Sequence, residues 1–410
     1  MKFFEIFLTT TLCCPILTLG GMSYATKDVR DGRLSLSVPL EQKWQYKSNK
    51  TLNVNPAVLE HTVFLPLADG IIVALRSENG MLLWKSELGG SILTAPVVDT
   101  FGLYVATETG ETGKTGAERA QSSGIIRALD PKTGVTLWTR EIDKPLQGGM
   151  AIDSGNIYGG SADGKVYSID KINGTIVWTA KLFPSFASYA TISDQKIFIG
   201  SDDGTLFAVN KVNGQVIWSY KAKASISSNI TVTESKKVIA ASTDGTVFAI
   251  SQDSGKLKWH KRTGAAIHSI AVWSENVIVA SLDNFVYFLS DKDGELVWKH
   301  RLPGRVYAPP LTKMSYALFS PVAGDSCIVL DLSTGKQVNT LPVGEDNNTM
   351  AAPVEANDVL LITTRQGLVA FASVPRGGSD STHSPVYYRQ RELKIALKAH
   401  KEGSQTCNVW

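Results

Sequence analysis

One short stretch of sequence recurs along this chain: a Gly, an apolar pair, a polar turn ending in a second Gly and, four residues later, a Trp. The fullest copies run from Gly164 to Trp178 and from Gly204 to Trp218, and related copies end at Trp84, Trp138, Trp259 and Trp298. Successive tryptophans from Trp138 to Trp298 lie 40, 40, 41 and 39 residues apart; the earlier steps are 40 (Trp44 to Trp84) and 54 (Trp84 to Trp138). A period near 40 residues means a repeat architecture, in which each unit buries its apolar surface only against its neighbours. Such arrays act through extended surfaces more often than through one deep pocket.

The residues inside one period predict strands. Over 187–220 the pattern gives Ser188–Ile192, Lys196–Gly200, Thr205–Asn210 and Gln215–Tyr220, with turns at Asp203-Gly204 and Asn213-Gly214. The Asp-Gly pair reads as a type I′ hairpin, which needs positive φ at both central positions. It recurs at Asp69-Gly70, Asp163-Gly164 and Asp244-Gly245. Four short antiparallel strands per 40 residues is the content of a propeller blade. Six blades end at Trp84, Trp138, Trp178, Trp218, Trp259 and Trp298; a seventh ends near Asn339, which stands where Trp would be. The eighth shows three strands, Thr349–Glu355, Val359–Thr364 and Gly367–Ser373, while Gln42–Tyr46 around Trp44 is an outer strand without a blade. The expected fold is therefore all-β: an eight-bladed β-propeller of four-stranded antiparallel blades, closed by the N-terminal strand completing the last blade and so removing an open edge. Trp44, Trp84, Trp138, Trp178, Trp218, Trp259 and Trp298 follow the fold period, so they are assigned to packing between blades, where such a side chain buries about 150–250 Å².

Composition bounds the rest. The 410 residues are 43% hydrophobic, and 41 basic against 38 acidic residues give a net charge of +3. No basic patch interleaved with aromatics points to nucleic acid. Residues 1–25 read as a signal peptide: Lys2, an apolar run from Ile6 to Leu19, and Ser23-Tyr24-Ala25 as the cleavage site. The protein is thus expected to be exported and periplasmic. A linker over 26–40, the propeller over 41–375 and a basic tail over 376–410 complete the expected organisation. Cleavage leaves Cys327 and Cys407, whose pairing the sequence leaves open. Thr10-Thr11-Leu12 ahead of Cys13 lacks the small residue of a lipoprotein signal.

Chemistry-bearing motifs are sparse. The excess length before Trp138 lies in 108–123, a polar Gly/Thr-rich loop that is either a mobile insertion or a binding loop. Its Gly113-Lys114-Thr115 has Glu108 where a phosphate-binding loop needs Gly. The tail carries Arg389, Arg391, Lys394, Lys398 and Lys401 around Leu393, Ile395 and Leu397, either a basic helix for a partner or anionic surface, or a solvated end. His260, His268 and His300 fall in different repeats without metal-ligand spacing. Asp202-Asp203 is explained by its turn. Four Asn-x-Ser/Thr sequons, at Asn49, Asn173, Asn229 and Asn347, would matter in a glycosylating host. No catalytic, cofactor-binding or metal-binding residue is assigned.

The segments Ala128-Leu-Asp-Pro-Lys-Thr-Gly-Val-Thr-Leu-Trp138 and Ala208-Val-Asn-Lys-Val-Asn-Gly-Gln-Val-Ile-Trp218 resemble the PQQ-like, or quinoprotein-type, propeller repeat family over about Trp44 to Pro375. Within it, one exported eight-bladed domain whose last blade runs through 352–371 is similar to the BamB-type propellers, accessory scaffolds of the outer-membrane β-barrel assembly machine. The resemblance implies a monomeric, non-catalytic scaffold that binds proteins: the assembly machine or nascent outer-membrane proteins, with peripheral membrane association. Two alternatives stand beside it: a secreted ligand-binding or adhesin propeller, and a quinone-dependent dehydrogenase. The latter needs a Ca²⁺ held by carboxylate and amide oxygens and an Asp base.

Overall fold

The computed structural model describes residues 33–109, 122–182, 185–186, 188–345 and 347–374. Every regular element among them is a strand, and the strands form eight sheets, one per blade. The signal segment, Gly113-Lys114-Thr115, the basic tail and Cys407 lie outside the described residues.

Blade four shows how the sequence builds a blade. Its strands are Thr191–Ser193, Lys196–Gly200, Thr205–Asn210 and Val216–Lys221, paired in chain order. The two middle strands are buried over most of their length. The last strand alternates exposed and half-buried residues after Trp218, as a strand with one face in water must. First strands of neighbouring blades contact one another, so they ring the axis and the last strands form the rim.

The first strand is shorter than the sequence pattern predicts, 191–193 instead of 188–192. The pairing is interrupted there: Ser188 N–H still bonds Gly200 O of the second strand, but Tyr189 forms a bridge with Gly149 of blade three. Blade eight differs in the same way, its first strand being Val354–Ala356. In blade two the inner position is split into Ser91–Ile92 and Val97–Val98, both on Leu103–Glu108.

The Asp-Gly turns also need a correction. Only Asp69-Gly70 has positive φ at both residues, 63° and 67°. At Asp163-Gly164, Asp203-Gly204 and Asp244-Gly245 the Gly alone is left-handed. There Gly204 N–H bonds Ser201 O and Ser201 N–H bonds Thr205 O. That is a type I turn closed by a left-handed residue, the longer hairpin loop. Asp203 sits inside the turn, accepting from Thr205 N–H at 2.9 Å and Ser201 Oγ at 2.7 Å.

Every rim strand carries a β-bulge. In blade one Trp84 pairs with Ala74 and Leu82 with Leu75, leaving Leu83 as the extra residue. The same shift occurs at Trp178, Trp218, Trp259 and Trp298. A bulge re-aims the following side chain: the two residues before each Trp face solvent and the indole turns to the next blade. Trp84 Nε1 donates to Pro131 O, Trp138 Nε1 to Lys171 O, Trp178 Nε1 to Lys211 O, and Trp218 Nε1 to Gln252 O, at 2.9–3.0 Å. Trp44, Trp259 and Trp298 make the corresponding bonds to Ser77 O, Asp291 O and Leu332 O. Each ring also lies under the turn Gly of the following blade. A Cβ on Gly174 would meet Trp138 Cε3 at 2.5 Å, and one on Gly294 would meet Trp259 Cε3 at 2.6 Å.

The ring closes through the N-terminus. Leu40–Lys47 pairs antiparallel with Gly367–Ser373, Leu40 opposite Ser373 and Lys47 opposite Gly367. Ahead of it, Leu34 and Leu36 are 1% exposed and join the core of blades seven and eight with Leu341, Val343 and Phe371.

Candidate functional site

Each blade reaches its inner strand through a short approach from the rim of the previous blade. In that approach or at the start of the inner strand, Asn53, Leu93, Gln147, Ser227, His268, Tyr307 and Met350 hold equivalent sequence places in blades one, two, three, five, six, seven and eight, on the side of the blade that rings the axis. Leu93 and Met350 are 38% and 39% exposed there. The ring has internal contacts. Ser227 Oγ lies 3.2 Å from His268 Nδ1, and the His268 and Tyr307 rings are 5.5 Å apart. Burial lowers the His268 pKa, so the imidazole favours its neutral form. Asn53 Oδ1 accepts from Met350 N–H at 3.1 Å, tying blade one to blade eight.

Asn53 and Met350 also line a cavity of about 350 Å³. Asn49, Thr51, Val322, Asn348, Thr349 and Arg365 complete its lining. Arg365 is the one charged residue there. Loops joining second to third strands edge this same face. The base of the insertion belongs to them: Thr109 N–H bonds Ser123 O at 2.8 Å, and Ser122 Oγ donates to Glu108 Oε1 at 2.5 Å.

The histidines are not brought together. His260 and His300 sit on the rim strands of blades five and six, and His268 faces the axis. Asp203 is held in its turn; burial would raise its carboxyl, but hydrogen bonds from Lys221, Ser201 and Thr205 outweigh that and keep it well below the usual carboxylate range. The axial ring was not singled out from the sequence, because its residue types differ from blade to blade. Aligning the repeats on the approach segments instead of on the tryptophans would have exposed it.

The family model described as outer membrane protein assembly factor BamB matches residues 122–271 and 222–391, more than half of the chain. The chain belongs to this PQQ-like propeller family. It is 30% identical over 109 residues to the outer membrane protein assembly factor BamB of Shewanella oneidensis, covering 25% of this chain and 24% of that protein. It is 25% identical over 123 residues to the polyvinylalcohol dehydrogenase of a Sphingopyxis species, covering 29% of this chain and 18% of that enzyme. The matches thus span a quarter or less of the length of these curated relatives. The crystal structure of BamB from Moraxella catarrhalis superposes with a TM-score of 0.66 at 17% identity, over 83% of this chain and 100% of that one. At that identity the likeness speaks for the fold.

The family thus includes relatives of both kinds, assembly factor and dehydrogenase, and the axial residues bear on which chemistry fits. A Ca²⁺-assisted quinone site needs several carboxylate and amide oxygens at one point, with a carboxylate base. None of the seven axial residues is acidic, and no cluster of three or more His, Cys, Asp or Glu occurs among the described residues. This donor set does not fit such a site.

Proposed function

We propose that the protein is a non-catalytic, exported scaffold that binds protein partners during assembly of outer-membrane β-barrels. The match to the BamB family model over 122–271 and 222–391 carries this reading. The seven described axial positions, none of them acidic, support it, since a dehydrogenase of the quinone type needs carboxylates. The rim supports it further, presenting eight strand edges with exposed apolar residues such as Leu83, Val177, Ile217 and Val297. Edges of this kind bind extended polypeptide by adding a strand.

In this reading the protein works on the periplasmic side, and its rigid closed ring holds binding edges at fixed angles. A cross-linked pull-down of the chain from its own solubilised envelope, read by mass spectrometry, tests it. Recovery of barrel-assembly components or of unassembled outer-membrane proteins is the expected result. Recovery of neither, together with quinone-like absorbance or dye-linked dehydrogenase activity in the purified protein, overturns it.

A further inference from the structure

The eight rim strands are equivalent in the fold but not in charge. Six of them carry little net charge: Gln337–Pro342 has no ionisable side chain, Ile176–Lys181 has one Lys, and in Leu82–Glu87 Lys85 is paired with Glu87. The rim strands of blades five and six, Leu257–Arg262 and Leu296–Arg301, differ. They hold Lys258, Lys261, Arg262, Lys299 and Arg301 with His260 and His300, and neither contains an acidic residue. The chain as a whole is nearly balanced, at +3. Among the described residues none of these five cations is in an ion pair. Lys258, Arg262, Lys299 and Arg301 are exposed, as are Leu257, Leu296 and Val297 beside them. The blades are neighbours, since Trp259 of one donates to Asp291 O of the next.

Lysines on a strand edge often serve only to discourage aggregation. That need is common to all eight rims, and each already carries a bulge that blunts it. Protection therefore does not explain why the cations gather on two adjacent strands while Ile176 and Val177 stay exposed beside a single Lys. The backbone adds a second property. Thr263 N–H bonds Gly245 O and Leu302 N–H bonds Asn284 O. Because antiparallel residues alternate inward and outward bonding groups, His260, Arg262, Lys299 and Arg301 turn their N–H and C=O groups away from the sheet. The edge thus offers paired donors and acceptors flanked by positive charge. A lipid headgroup has no row of alternating donors and acceptors at strand spacing; an extended acidic polypeptide has that row together with the complementary charge.

We propose that the rim strand Leu257–Arg262, reinforced by Leu296–Arg301, is a docking edge for an extended acidic segment of a partner protein, which adds to blade five as a further strand. This deepens the scaffold reading by naming the surface and the chemistry of the partner. The test uses the full chain and a fluorescent peptide of about ten residues alternating Glu and Thr. Strand-pairing and charge contributions each predict a separate loss. Binding should weaken about tenfold between about 50 mM and 300 mM NaCl, because exposed charges are screened over a Debye length. The triple variant Lys258→Glu/Lys261→Glu/Arg262→Glu, all at rim positions, should lose about tenfold or more while melting as the parent does. Thr136→Glu/Thr139→Glu on the rim of blade two should leave affinity unchanged. A peptide of the same charge with alternate backbone nitrogens methylated should bind more weakly. Equal binding of the methylated peptide overturns strand addition, and no binding of either peptide overturns the docking edge. Retention on vesicles containing about one-third phosphatidylglycerol, without peptide affinity, overturns it in favour of a membrane surface. The peptide is synthetic, so its failure leaves the envelope pull-down result standing, and failure of the pull-down leaves the peptide affinity standing.

Discussion

Asn339 donates its Nδ2 to the carbonyl of Val38 at 2.6 Å, and to that of Leu36 at 3.1 Å. Asn339 occupies the place on the rim of blade seven where the other blades carry Trp, pairing with Val329 across the same bulge. A Trp there would need a turn Gly and a free carbonyl on the following blade. Blade eight has neither, because its rim strand comes from the N-terminus and no turn joins it to Gly367–Ser373. The volume is filled instead by Leu34 and Leu36, and a short amide fixes the segment carrying them. The absent Trp is thus a consequence of closing the ring with strands from the two ends of the chain.

Replacing Asn339 should loosen the closure. Asn339→Ala removes two hydrogen bonds at about 0.5–1.5 kcal/mol each, so a loss of about 1–3 kcal/mol is expected in urea unfolding. Asn339→Trp restores the repeat pattern but not the cavity, and overpacking against Leu34 and Leu36 should cost about 1–3 kcal/mol. A tryptophan variant more stable than the parent would show that the N-terminal segment does not fill this site.

Two glycines with nearly the same backbone separate strain from packing. Gly294 and Gly89 have φ of 75° and 71°. A Cβ on Gly294 would meet the Trp259 ring at 2.6 Å, whereas one on Gly89 would have nothing within 4 Å. Gly89→Ala should therefore cost only the left-handed strain, about 1–2 kcal/mol. Gly294→Ala must also displace a buried indole, adding about 1–3 kcal/mol. Thermal melts of the two purified variants compare them directly, and equal losses would mean that the indole contact contributes nothing.

The blade count and closure were legible because residues of the Gly204, Gly214 and Trp218 type recur at fixed places in most repeats, and the period of the chemistry is the period of the fold. What was not legible had no such period. His268 and Tyr307 share a structural place with Leu93 and Gln147, so no residue type marks the axial opening. The Asp203-Gly204 dipeptide does not reveal how many residues the hairpin closes around it; positive φ at both residues occurs only at Asp69-Gly70, and there too Leu67 pairs with Ile71 around three residues. His260 and His300 were weighed singly as metal ligands; their meaning lies in the cations beside them on adjacent rims, a relation that appears only once the rim strands are compared with one another.

An ion pair between a buried lysine and a partly exposed aspartate also joins blades two and three. Lys171, with 4% of its side chain exposed, places Nζ 2.6 Å from Asp99 Oδ2 and 4.7 Å from the Phe101 ring, while its carbonyl accepts Trp138 Nε1. Removing one partner strands the other charge. Asp99→Ala should cost about 1–3 kcal/mol, since Lys171 Nζ keeps the Asp153 carbonyl, whereas Lys171→Met/Asp99→Leu together should come within about 1–2 kcal/mol of the parent. A double-mutant cycle in urea measures the coupling; additive losses would show that the two charges act independently.

Cys327 gives a readout of the whole ring. It lies in Ser326–Asp331 with 0% exposure, is free, and has Asn348 Oδ1 3.8 Å from its Sγ. Burial pushes its thiol up to about 12, outweighing the opposing influence of the Ser320 hydroxyl. An unfolded thiol titrates near about 8.5, so the folded chain holds the proton longer. The corresponding stability is fully present below about pH 8.5 and is lost as pH rises toward about 12. With Cys13, Cys14 and Cys407 replaced by Ser, native protein at about pH 8 should resist an aromatic disulfide reagent and react only as fast as it unfolds, since the thiolate is the nucleophile. Between about pH 8 and pH 10.5 the urea midpoint should fall more steeply than in Cys327→Ala. Rapid labelling of the native protein would mean that blades seven and eight open locally, and that the N-terminal closure does not hold them as one unit with the rest of the ring.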